Sequence, residues 1–318
     1  MSEYTGIVQQ ALRNVPRFST VTLNGDQLVR LGGLTNLVHR VELEDETLIV
    51  RIPGKGTEDY IDRAVELHNA RAAAAAGVSA EVIWADAGAG LMISRCIDNI
   101  VTMTPDLFRS RAGAPQRAAL AFRTLHQSGQ ESGQKSGQKS GQTFQFRFEL
   151  FSMIDDYLKV LAGKDAQLPD GYFEIVEAAQ PVKAVLSENE SALAPCHCDP
   201  LCENFLDDGT RMWIVDWEYS GMNDPMWDLG DLSVEAGFNA AQDQEMMQAY
   251  FDGQATDADF GRMIVYKAMC DLLWTLWGLI QHADANPADD FWAYSVNRFE
   301  RCKALMQSPE FAAHLKAI

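Results

Sequence analysis

His197-Cys198-Asp199-Pro200-Leu201-Cys202-Glu203-Asn204 is followed by an apolar run, Met212-Trp213-Ile214-Val215, that ends in Asp216. The pattern is H-x-D-x-x-x-x-N and then a strand delivering a carboxylate. Phosphoryl transfer uses those residue types at about that spacing. One carboxylate orients the attacking hydroxyl and accepts its proton, while an amide oxygen and a second carboxylate hold Mg²⁺ on the nucleotide phosphates. A loop carrying Asp199 and Asn204 can point the first at an acceptor and the second at a metal. A hairpin strand can then bring Asp216 to the other side of the same ion. An ordinary polar turn between two strands is the competing reading, and it does not require all three features to coincide.

Upstream of that loop, the chain reads as a small α+β lobe. Gln27-Leu28-Val29-Arg30-Leu31 runs into Gly32-Gly33-Leu34-Thr35-Asn36, and Leu37 to Leu43 resumes with period-two alternation, which predicts a hairpin with a glycine-containing tip. Thr47 to Ile52 is a third strand closed by Pro53-Gly54, and an alanine-rich helix follows from about Tyr60 to Ala76 with Gly77 as its stop. Val82-Ile83-Trp84 and Gly90 to Ser94 make a further strand pair. That order is kinase-like, so Gly32, Gly33 and Asn36 at the tip become candidates for the nucleotide phosphates, the glycines because they let backbone come close. Arg51 on the third strand is the candidate phosphate cation, and Glu66 in the helix is the acid that could fix its fork. Taken alone, each has a plainer reading as a turn, an exposed arginine or a solvated helical glutamate.

Downstream, residues 98–318 are mostly helical, and residues 1–97 form the smaller lobe. Helices are predicted over Arg117 to Gln127, Phe148 to Leu161, Tyr172 to Asn189, Glu245 to Asp252, Phe260 to His282 and Asp289 to Met306. Residues 128–142 are a Ser-Gly-Gln repeat with no apolar side chain to bury, and they read as a flexible insert without chemistry of its own. The fold class is therefore α+β, two-lobed and protein-kinase-like.

Composition narrows the partners. With 47% hydrophobic and 22% charged residues, the chain is that of a soluble globular protein. Its 26 basic against 45 acidic residues give a net charge of −19, which repels nucleic acid and anionic membranes and attracts cations. No signal-like start and no uninterrupted membrane-length apolar run is evident, so the expected location is the cytoplasm, without membrane insertion. Cys196, Cys198 and Cys202 surround His197 but lack paired C-x-x-C knuckles, so zinc is not expected there. The oligomeric state stays open, a homodimer included.

The catalytic motif together with Ile214-Val215-Asp216-Trp217-Glu218-Tyr219 resembles the aminoglycoside phosphotransferase and choline kinase superfamily. Asp216 to Glu235 is similar to the choline/ethanolamine kinase branch in particular, as is Trp274-Thr275-Leu276-Trp277. That resemblance implies ATP and Mg²⁺ as cofactors, Asp199 as base, and Asn204 and Asp216 as metal ligands. It makes His197 a support of the loop and Asp228 the residue that ties down its backbone. It places Glu218 and Glu235 near the acceptor. Cys198 and Cys202 depart from residues common in the family, but neither touches a ligand in the mechanism.

The acceptor implied is a small cationic alcohol, with choline foremost. A quaternary ammonium donates no hydrogen bond and is held by aromatic faces and a carboxylate. Trp274 and Trp277 share a helix face, Phe291 and Tyr294 begin the next helix, and with Glu235 they could form a cage with one negative wall. Aromatics at such spacing also simply fill cores. Ethanolamine, thiamine or an aminoglycoside are the alternative acceptors, and a non-catalytic nucleotide-binding scaffold is the alternative of another class.

Overall fold

The computed structural model describes residues 3–32, 36–54, 61–129 and 143–318. Gly33 and all but the first two residues of the Ser-Gly-Gln insert lie outside them. Period-two alternation becomes a five-stranded antiparallel sheet: β1 (Leu28–Arg30), β2 (Leu37–Glu42), β3 (Thr47–Ile52), β4 (Val82–Asp86) and β5 (Leu91–Arg95), in the order β1-β2-β3-β5-β4. In β3 the alternation is strict. Leu48, Val50 and Ile52 are buried in the core, so Arg51 must point from the other face. Helix α1 (Glu3–Arg13), which the sequence reading passed over, covers the core face with Val8, Ala11 and Leu12.

Helix α2 (Arg63–Ala75) starts where the Asp62 side chain accepts from the Ala64 and Val65 amides, and it stops before Gly77 at φ +80°. Its Ala70, Ala72 and Ala73 belong to the larger hydrophobic core with the helices that follow, not to the cluster under the sheet. The helix therefore carries Glu66 at the boundary between two cores.

The remainder comprises β6 (Val101–Thr102), α3 (Pro105–Ser110), α4 (Ala114–Ser128), α5 (Leu150–Gly163), α6 (Tyr172–Ala178), α7 (Gln180–Glu188), β7 (Ala194–Cys196), β8 (Phe205–Asp207), β9 (Met212–Ile214), β10 (Gly221–Asn223), α8 (Pro225–Ala236), α9 (Ala240–Tyr250), α10 (Asp257–Ala283), α11 (Phe291–Met306) and α12 (Pro309–Ala317). The single helix expected over Tyr172 to Asn189 is two, because Pro181 lacks the N–H to continue the ladder and sits in the first turn of α7. Helix α10 has the length and mean hydropathy of a membrane span, but 78% of its most apolar window is buried against neighbouring helices. It is the spine of the larger core. Gly230 and Gly278 let α8 and α11 approach it; a Cβ at Gly230 would stand 2.7 Å from the Met263 carbonyl, and one at Gly278 would collide with Ser295. That close approach sets the spacing of the aromatic side chains on α10 and α11.

Candidate active site

The catalytic loop follows β7 and is held by one buried carboxylate. Asp228 on α8 accepts from the His197 and Cys198 amides, each at 2.8 Å, and Trp227 Nε1 donates to the Cys198 carbonyl at 3.0 Å. Cys198 sits at φ +66°, a left-handed conformation costly for a residue with a Cβ, and the two Asp228 bonds maintain it. His126 from α4 meets Asp228 from behind at 3.0 Å. His197 is fully buried, and its Nε2 donates to the Val215 carbonyl at 2.9 Å. Burial pulls its pKa down, so it is a neutral support of the loop, as expected. Burial pushes the Cys196 and Cys198 thiols well up, so both are protonated.

This framework brings the three catalytic candidates together. Asn204 Nδ2 donates to the Asp199 carbonyl at 3.1 Å, which commits the amide nitrogen and leaves the amide oxygen for another partner. The Val215 amide bonds the Asn204 carbonyl at 3.0 Å, coupling the loop to the strand that delivers Asp216. Asp216 also has positive φ, +69°, and its buried Oδ1 has no hydrogen-bond partner. The Asp216 carboxylate, whose Oδ1 accepts no hydrogen bond, and the Asn204 amide oxygen are hard oxygen donors of the kind Mg²⁺ takes, so the residues fit that ion. Burial and the nearby Glu218 push the Asp216 carboxyl well up. Burial, helped by Glu235, pushes Asp199 up to about 7 against the pull of Arg298.

The sheet supplies the facing wall. Arg51 forms a two-pronged pair with Glu66, and its second prong measures 2.9 Å; Arg51 Nη1 also stands 3.8 Å from Asp216. Burial alone would lower the Arg51 pKa, but Glu66, Asp216 and Glu218 raise it, so the guanidinium stays charged. Glu218 differs from its expected place beside the acceptor. Its carboxylate accepts from Asn36 Nδ2 at 2.8 Å, pairs with Arg63 and lies 3.6 Å from Arg51, which ties it to the arginines of the sheet side. Asn36 reaches the site by holding Glu218, with its own Oδ1 unpartnered. Gly32 is open to its surroundings, with no atom within 4 Å of a Cβ built there.

On the opposite side of Asp199 the expected aromatics do meet. Trp277 packs edge-on against Phe291 and Tyr294, at ring separations of 5.6 and 5.9 Å, and its Nε1 donates to the Tyr219 hydroxyl at 3.0 Å. Trp274 is almost wholly buried; its Nε1 donates to Asp231 Oδ2 at 3.1 Å. Glu235 is not a free negative wall. Arg298, buried and stacked 4.6 Å over the Tyr294 ring, pairs with it and with Asp271 at 3.1 Å.

Residues 27–258 match the phosphotransferase enzyme family. A solved choline/ethanolamine kinase family protein from Mesorhizobium loti is 55% identical, superposes with a TM-score of 0.85, and the match covers 98% of each chain. The chain belongs to the choline/ethanolamine kinase family. More distant relatives share the fold: the choline kinase LicA from Streptococcus pneumoniae is 24% identical, with a TM-score of 0.76 over 96% of this chain and 99% of that one. Ethanolamine kinase 2 of Mus musculus is 25% identical over 85% of this chain and 73% of its own.

Of the side chains that meet around the site, sequence reasoning gave no role to Arg63, Tyr219, Asp231 and Arg298. Tyr219 and Asp231 lie inside the stretch that carries the resemblance, so their positions were in view without a role. Arg298 gave no signal at all, because its partners are 27 and 63 residues away.

Proposed function

We propose that the chain transfers the γ-phosphoryl group of ATP to the hydroxyl of a small cationic amino alcohol, choline foremost. The observation that carries the reading is the Asp228-held loop, which sets Asp199, Asn204 and Asp216 opposite an Arg51 already fixed by Glu66 and 3.8 Å from Asp216. Residues 1–97 would serve the nucleotide phosphates, and residues 98–318 the chemistry and the acceptor.

Asn204 and Asp216 would hold Mg²⁺, which when bound offsets the negative charge of the phosphates. Arg51 remains charged and lies toward the phosphate oxygens, its orientation locked by the two-pronged contact with Glu66. Asp199 hydrogen-bonds the acceptor hydroxyl and takes its proton as the new O–P bond forms and ADP departs. A carboxyl pushed up to about 7 is a better base than an ordinary one, but only once ionised. Turnover at low substrate therefore rises as pH passes through about 7. Half-buried Trp277, Tyr294 and Tyr219 offer ring faces to the cationic head.

The test is ATP consumption with Mg²⁺ against choline, ethanolamine, thiamine and an aminoglycoside. Turnover led by choline or ethanolamine supports the reading, and Asp199→Asn should lower kcat by about 10²–10⁴-fold. A variant that keeps its rate removes Asp199 as base. Activity confined to thiamine or the aminoglycoside keeps the chemistry and replaces the acceptor.

A further inference from the structure

The charges beyond Asp199 pair off unevenly. Asp271 is bound by Arg301 through two contacts, at 2.8 and 2.6 Å, and Glu235 is bound by Arg298. Asp231, one turn before Glu235 on α8, forms no ion pair among the described residues, and Arg298, the cation near it, is already paired with Glu235 and Asp271. Asp231 is 1% exposed, Trp274 fixes its Oδ2 at 3.1 Å, and its Oδ1 has no hydrogen-bond partner. A buried carboxylate oxygen without a partner is expensive, and such groups persist where a ligand completes them.

We propose that Asp231, rather than Glu235, supplies the negative charge that holds the acceptor's ammonium, a role that rests on the amino-alcohol phosphotransferase reading above. Glu235 and Arg298 then form a neutral brace. Arg298 stacks on Tyr294 and so fixes one ring beside the cation, while Trp274 aims the carboxylate instead of serving as an open face. Around Asp231 stand Glu235 on its own helix, Asp199 and Cys198 from the catalytic loop, Cys270 and Trp274 from α10, and Arg298 and Tyr294 from α11. Burial, with Glu235 close by, pushes the Asp231 carboxyl well above the usual carboxylate range. An arriving ammonium reverses that imbalance and ionises it.

The experiment compares choline with its uncharged carbon isostere, 3,3-dimethylbutan-1-ol, in the wild type, Asp231→Asn and Glu235→Gln. Asp231→Asn should raise the choline KM by about tenfold or more, as loss of a charge-assisted contact does, and leave kcat/KM for the isostere unchanged. The preference for the charged acceptor then collapses. A preserved preference in Asp231→Asn, or a collapse in Glu235→Gln alone, overturns the role of Asp231 while the kinase reading stands. A wild type that phosphorylates neither choline nor ethanolamine fails at the reading itself and takes the proposal with it. Binding calorimetry provides a second readout: the wild type should bind choline more tightly than the isostere and Asp231→Asn should bind the two alike, and a difference kept in Asp231→Asn overturns the proposal.

Discussion

The two walls of the cleft handle charge in opposite ways. On the sheet side, Arg51, Arg63, Glu66, Glu218 and Asn36 form a set in which the arginines and carboxylates pair with one another, and Arg51 also reaches Asp216 at 3.8 Å. Across from it, Asp199, Asp216 and Asp231 are carboxylates that burial pushes up, and two of them keep an oxygen that accepts no hydrogen bond. The first wall is pre-organised and would meet the proposed phosphates without rearranging. The second is short of positive charge, and the species proposed to bind there, Mg²⁺ and an ammonium, are both cations. A buried ion pair contributes little to net stability yet fixes geometry, whereas uncompensated carboxylates cost stability and are tolerated where they bind something.

Breaking the closed wall should give the largest effect. Arg51→Met removes the fork from Glu66 and the positive charge from the phosphates, so the ATP KM should rise strongly while the acceptor KM stays near its original value. Stability should drop as well, but by less than the ~3–5 kcal/mol of a fully stranded buried charge. Arg63 remains 2.9 Å from Glu66 and compensates in part. Steady-state kinetics with each substrate varied, plus a urea melt, separate the two consequences. An acceptor KM that moves as far as the ATP KM would mean the walls are not independent.

The open wall should respond on the acceptor side alone. Trp277→Ala removes a ring that touches Phe291 and Tyr294 and anchors the Tyr219 hydroxyl. The acceptor KM should rise about twofold to thirtyfold, the range of a cation–π contact as it becomes desolvated, with the ATP KM unchanged. An unchanged acceptor KM would return the α10 face to plain core packing.

The same contrast explains what the sequence disclosed. The loop and the hairpin were legible because each depends on short-range spacing, with His197, Asp199 and Asn204 close in sequence, and the Asp228 anchor was implied by the family resemblance. The aromatic group was legible through helical periodicity. The resemblance that assigned Glu218 to the acceptor did not show its pairing with Asn36 and Arg63, which lie more than 150 residues away. Glu235 was assigned a free charge because Arg298 lies 63 residues downstream with no motif around it. The break between α6 and α7 was marked by Pro181 and could have been read.

The smallest effect is on stability, and its sign distinguishes the walls most cleanly. Asp199 titrates near 7 in the folded chain and near 4 when unfolded. Between those values the folded protein holds a proton that the unfolded chain releases, so this residue makes stability fall as pH rises from about 4 to about 7. Asparagine cannot ionise. Asp199→Asn should therefore melt with the wild type at pH 4 and above it at pH 8, by on the order of a few degrees for a chain of this size. Glu66→Gln should do the reverse. It leaves Glu218 as the one carboxylate between Arg51 and Arg63, and thermal melts should lie below the wild type at both pH values. If both variants shift Tm in the same direction at pH 8, the division into a paired wall and a cation-seeking wall fails.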